Sequence, residues 1–82
     1  MAKTFHLQII SCDRKFYEGP CESLVFQGLD GEYGILAGHA PMVTCLTAGE
    51  LRYQNEGTWR RAAISNGFIV VDPLGATVMA DT

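Results

Sequence analysis

Long apolar runs, paired cysteines, clustered basic residues and helical periodicity are all missing from this sequence, and each absence closes off a class of function. No apolar stretch approaches the ~20 residues that cross a bilayer as a helix. The opening Met-Ala-Lys-Thr-Phe-His lacks the apolar core of a secretory signal. The default expectation is therefore a cytosolic setting. The six basic residues, Lys3, Arg14, Lys15, Arg52, Arg60 and Arg61, form no group larger than a doublet, and nine acidic residues bring the formal charge to −3. Phosphate backbones are bound by clustered Lys and Arg that displace counterions, so nucleic acid is not an expected partner. The cysteines, Cys12, Cys21 and Cys45, are odd in number and scattered. They suit no closed disulfide set and read as small buried or half-buried thiols in a reducing compartment.

Chemistry fares no better. Structural zinc takes four ligands, usually as two close pairs, and no Cys-x-x-Cys is present. His6 falls on the polar side of an alternating segment. No metal or cofactor is expected. Cys45 and His39 lie near one loop and could in principle approach, but no nucleophile turn surrounds either residue. Glu18 and Glu22 flank Gly19-Pro20 and read as two solvated turn charges. Gly31, Gly34 and Gly38 lack the spacing of a phosphate-cradling loop, and no helix is predicted after them.

What is present is a globular composition, 48% hydrophobic and 18% charged, in 82 residues, which suits one small domain. Thr4–Ser11 alternates, with Phe5, Leu7 and Ile9 on one side and His6 and Gln8 on the other. That is the period of a half-buried strand. Further short extended pieces follow at Lys15–Gly19, Cys21–Gln27, Tyr33–Leu36, Met42–Leu46, Glu50–Gln54, Thr58–Ser65, Phe68–Val71 and Ala76–Ala80. Turn residues such as Asp30-Gly31, Asn66-Gly67 and Asp72-Pro73 separate them about every 8–12 residues. A hairpin with a loop of about three residues is expected around Asn55-Glu56-Gly57. The pattern predicts an all-β fold, a small antiparallel β-sandwich or barrel of about ten short strands. Trp59 and Tyr53 are candidates for an aromatic patch, with core or sheet-face packing the commoner use.

The densest signal is Gly31–Pro41, Gly-Glu-Tyr-Gly-Ile-Leu-Ala-Gly-His-Ala-Pro. It reads as a shaped surface loop between strands. Glu32 follows a turn and should be exposed, Tyr33 is amphipathic, and His39 sits where Gly38 and Pro41 constrain the backbone. Physics alone leaves open whether this is a contact loop or a solvated connection.

The same stretch closely resembles the hallmark Gly-Glu-x-Gly-Ile-x-Pro-Gly-His-Ala-Pro of the epsilon subunits of rotary F-type ATP synthases. Supporting matches are Phe5-His6-Leu7, Leu46-Thr47-Ala48-Gly49-Glu50-Leu51-Arg52, Ser65-Asn66-Gly67-Phe68 and Val78-Met79-Ala80-Asp81-Thr82. Together they cover essentially the whole sequence. Ala37 stands where the family usually has proline, which loosens the loop by ~0.4–1 kcal/mol through unfolded-state entropy.

The resemblance implies a non-catalytic domain of the rotor's central stalk, a β-sandwich spanning residues 1–82. It would link the gamma subunit to the c ring and help couple proton flow to ATP synthesis. It implies Asp30, Glu32 and Tyr33 as the ring-facing tip and His39, Pro41, Met42 and Thr44 as gamma-facing. It also implies a peripheral place on the cytoplasmic face of a bacterial inner membrane, held through the complex without direct membrane insertion. The family continues into a C-terminal helical hairpin that these residues do not include, so inhibition of ATP hydrolysis and binding of ATP are not expected of them. The rival readings are a free-standing ligand-binding sandwich with a pocket near Trp59 and Tyr53, and a small enzyme using Cys45 and His39.

Overall fold

Alternation of apolar and polar residues dictates strands with one buried face, and the computed structural model, which describes residues 3–11 and 14–80, is built of them. Cys12, Asp81 and Thr82 lie outside the described residues. The elements in chain order are β1 (Phe5–Ser11), β2 (Arg14–Cys21), β3 (Ser23–Gly28), β4 (Gly31–Leu36), β5 (Met42–Leu46), β6 (Gly49–Asn55), β7 (Thr58–Ile64), β8 (Gly67–Asp72) and β9 (Gly75–Ala80).

The described residues thus hold nine strands, against the expectation of about ten. One departure from the expected antiparallel plan is that β1 pairs with β9 in parallel, from His6↔Gly75 to Ile10↔Met79. The first and last strands lie side by side, and no hairpin constrains their relative direction. All other pairings are antiparallel.

The strands run in the order β2-β1-β9-β8-β5-β3-β6-β7, with β4 paired to β3. The β5–β3 junction is a single residue pair, Gly28↔Leu46. There the sheet folds over into two halves, β2-β1-β9-β8-β5 and β4-β3-β6-β7, with the core between them. Leu7, Ile9, Ile69, Val71 and Val78 come from the first half, and Leu24, Phe26, Ile35, Leu51 and Tyr53 from the second. The far side closes through β2 and β6. The Tyr17 and Tyr53 rings meet at 4.7 Å, Asn55 Nδ2–H donates to the Tyr17 hydroxyl at 3.3 Å, and the Glu22 N–H donates to the Gln54 carbonyl at 2.7 Å.

The β6–β7 hairpin is tighter than the expected loop of about three residues. Glu56 and Gly57 alone connect the strands, both with positive φ, 54° and 76°. A two-residue turn with both central residues left-handed matches the right-handed twist of the flanking strands, and glycine takes the second position without strain.

The Gly31–Pro41 stretch is not one surface loop. Gly31–Leu36 is strand β4 in full register with β3, and only residues 37–41 connect it to β5. The turn at Leu29-Asp30 and the connection around His39 therefore occupy opposite ends of the domain, about 20 Å apart at ~3.4 Å per strand residue.

Candidate functional site

At one end, Leu29 and Asp30 form the exposed β3–β4 turn. Tyr33 points inward from β4. Its ring stacks on Phe26 with centroids 5.4 Å apart and planes within 2°. A Cβ on Gly28 would lie 2.5 Å from the Tyr33 ring, so glycine there leaves the space the ring fills. The Tyr33 hydroxyl ends 3.5 Å from Asp30 Oδ2. Asp30 is thus the exposed carboxylate of the tip, and Tyr33 is a half-buried prop beneath it.

Glu32 is exposed, as expected, but it is not a bare charge. Arg52 Nη2 donates to its Oε2 at 2.9 Å, and Gln27 Nε2 donates to the same oxygen at 3.4 Å. Arg52 also lies 3.8 Å from Glu50, which lies 3.8 Å from Arg61. These alternating charges run across the outer face of β4-β3-β6-β7.

The opposite end is built by residues 37–41. Gly38 takes a φ of 85°, and the His39 N–H donates to the Leu36 carbonyl at 3.1 Å. His39 Nδ1–H donates to the Ala40 carbonyl at 2.7 Å. His39 and Pro41 line a cleft of about 350 Å³ together with Phe5, Ile35, Leu36 and Val71.

The outer face of the first half carries no charge over its centre. Val43 and Cys45 on β5, Phe68 and Val70 on β8, and Thr77 and Met79 on β9 pair across it. Val43 is 70% exposed and Phe68 43%. Met42 and Thr44, expected from the sequence to face a partner, share a side with buried Leu46 and point inward, both half-buried. The outward residues of β5 are Val43 and Cys45. Counting the alternation back from Leu46 would have revealed this.

His6 Nε2 meets Glu18 Oε2 at 3.0 Å, and Lys15 binds the other Glu18 oxygen, forming a polar rim along β1 and β2. Lys15 first, and then His6, hold the Glu18 carboxyl below its usual range. Glu18 and Glu22 are therefore not simply two solvated turn charges. Glu18 is in a strand, and Glu22 accepts the Gly57 N–H at 3.0 Å.

The other sequence candidates do not converge. Cys45 sits near one end of the domain and His39 at the other. Cys21, fully buried, donates its thiol to the Ser23 carbonyl at 3.1 Å, and burial pushes its pKa up. Cys45 is exposed rather than half-buried. Tyr53 is 5% exposed and faces the core, whereas Trp59 is 46% exposed on the outer face, so the two line no common pocket. Among the described residues, no three His, Cys, Asp or Glu side chains gather in a metal-binding arrangement. No helix among them is long and apolar enough to cross a membrane.

The two-layered all-β sheet agrees with one family, described as the ATP synthase delta/epsilon chain β-sandwich domain, which matches residues 4–82. The chain belongs to this family. An ATP synthase epsilon chain of Ruminiclostridium cellulolyticum is 39% identical over 79 residues, 96% of this chain and 59% of that one. One of Desulforamulus reducens is 42% identical over 82 residues, 100% of this chain and 62% of that one. The chain thus spans about 60% of the length of the curated relatives it matches.

Among solved structures, a chain of the Euglena gracilis mitochondrial ATP synthase, described as OSCP/F1/c-ring, superposes with a TM-score of 0.85 at 30% identity. That match covers 96% of this chain and 50% of that one. A chain of the Tetrahymena thermophila mitochondrial ATP synthase, described as central stalk/c-ring, shares the fold at a TM-score of 0.82 and 7% identity, covering 99% and 66%. Within this delta/epsilon sandwich, the hallmark sequence is strand β4 plus the His39 connection, which ties the tip to the far end.

Proposed function

We propose that this domain is a non-catalytic coupler of the central stalk in a proton-translocating F-type ATP synthase, bridging the gamma subunit and the c ring. The observation that carries the reading is the contrast between the two outer faces. One is charged and paired within itself through Glu32, Arg52, Glu50 and Arg61. The other presents Val43, Cys45, Phe68 and Val70 with His6, Glu18 and Lys15 at its rim. An apolar centre with a polar margin is the anatomy of a lasting protein contact.

The uncharged face, continued by His39 and Pro41, is assigned to gamma, with Met42 and Thr44 supporting it from beneath. The tip, with Asp30 foremost, Glu32 beside it and Tyr33 as its prop, is assigned to the polar loops of the c ring. Such a coupler needs a stiff body with contacts at separated places, and the two-layered sheet supplies both. Its place would be peripheral, at the cytoplasmic face of a bacterial inner membrane, held there by its partners.

Calorimetric titration of the chain into purified gamma subunit of a bacterial F-type enzyme tests this. The expected result is a 1:1 complex that Val43→Glu weakens at least tenfold, because it buries an unpaired charge, at a cost of more than ~1.4 kcal/mol. Binding unaffected by Val43→Glu, or no binding by the unaltered chain, would overturn the assignment.

A further inference from the structure

Among the described residues, strand β7 has neighbours on one side only. It pairs with β6 along its whole length, from Asn55↔Thr58 to Gly49↔Ile64, without a register shift. Among the described residues no strand pairs with its other edge. The far edge of the sheet, β2, differs: its pairing with β1 is interrupted at Ile9/Ile10, and it contains Gly19-Pro20. A bulge and a proline are the ordinary devices that make an edge a poor template for another strand. β7 has neither, and its row of outward backbone donors and acceptors is regular.

Its side chains decide what that row accepts. Thr58, Trp59, Arg60, Arg61 and Ala63 are all exposed. Trp59 and Arg61 project from the outer face, and Arg60 from the opposite one, since side chains alternate. Among the described residues Arg60 has no ion-pair partner, and Arg61, 72% exposed, has only Glu50 at 3.8 Å. A second copy of this edge is disfavoured. Antiparallel self-pairing about the strand's centre sets Arg61 against Arg61, and like charges directly opposite are repulsive. Two consecutive acidic residues on an incoming strand would instead meet one arginine on each face, and an apolar residue beside the pair would lie against the Trp59 indole. We infer that β7 is a docking edge for an extended acidic segment of a partner protein, added as a further strand through backbone hydrogen bonds and selected by Arg60 and Arg61.

Trp59 is the only tryptophan in the sequence and reports on the edge directly. The chain is titrated at low salt with an end-blocked synthetic nine-residue peptide that sets a central Glu-Glu pair among Val and Thr, and with its Lys-for-Glu counterpart. The acidic peptide is expected to shift Trp59 emission to the blue with saturation and to slow amide exchange in residues 58–64. Its affinity falls at least tenfold in R60E/R61E, which binds the Lys peptide instead. R60Q/R61Q weakens the acidic peptide without gaining the basic one, and it replaces the charge reversal should that variant fail to fold. The proposal is overturned if the acidic peptide gives no saturable change up to millimolar concentration, if both peptides bind the unaltered chain equally, or if the slowed amides lie outside β7.

Discussion

Gly67 shows how a single missing atom sets a strand's position. A Cβ there would lie 2.1 Å from the Met79 carbonyl oxygen and 2.7 Å from Ala80 Cα, both backbone atoms of β9 that cannot swing aside. Gly67→Ala is expected to lower stability by about 1–3 kcal/mol in urea unfolding, as overpacking does. Gly34 is the control. It is exposed, its φ is not positive, and nothing lies within 4 Å of a built Cβ. Gly34→Ala should raise stability by ~0.4–1 kcal/mol, because it mainly restricts the unfolded chain. A loss at both positions would contradict the contrast.

Glu18 supplies a residue-level titration. Lys15 and His6 depress its folded-state pKa, so its favourable contribution is present at neutral pH, above the unfolded value, and is lost as pH falls through the depressed folded value. Carbon-13 NMR should find its carboxyl titrating below the ordinary glutamate range, and Lys15→Met should move that midpoint upward. An unmoved midpoint would remove Lys15 as the main cause.

At the scale of elements, the outer face of β4-β3-β6-β7 is held by exposed charges from strands far apart in the chain, with Glu32 reaching Arg52 across β3. A double-mutant cycle of Glu32→Gln and Arg52→Met should return a coupling of about 0.2–1 kcal/mol that shrinks with added salt, as solvent-exposed pairs do. A coupling indistinguishable from zero at low salt would mean that the pair does not order the face. The strands themselves were legible in the sequence. Phe5, Leu7 and Ile9 alternate as read, and all nine extended pieces appear within a residue or two. Two features were not legible. Of Gly31–Leu36 only Tyr33–Leu36 reads as extended, and Gly31 with the exposed Glu32 looks like part of a loop locally. Only pairing to β3, through Gly28↔Gly31 and Gln27↔Glu32, carries the strand back to Gly31. The Glu56-Gly57 turn is shorter than its composition suggested because Glu56 accepts a left-handed conformation that the β6–β7 register imposes.

For the whole molecule, the proposed function gives the two faces of the folded sheet different work. Val43→Glu should leave unfolding nearly unchanged, since Val43 is already 70% exposed. It should still abolish most of the affinity for gamma, and a matching loss of stability would show that the residue serves the fold instead. This separation follows from parity. Met42, Thr44 and Leu46 share the inward side of β5, and Val43 and Cys45 the outward side. The sequence by itself determined the all-β class, the strand positions and, through the hallmark residues from Gly31 to Pro41, the family. Those properties are local: they depend on period-two alternation, turn residues and short motifs. Only the tertiary structure decided that β1 lies parallel to β9, that Tyr33 props the tip from within, that Arg52 takes up the Glu32 carboxylate, and that β7 is left as an open edge. Each of these depends on strands distant in the chain meeting in a particular register, and no local pattern specifies which strands will meet.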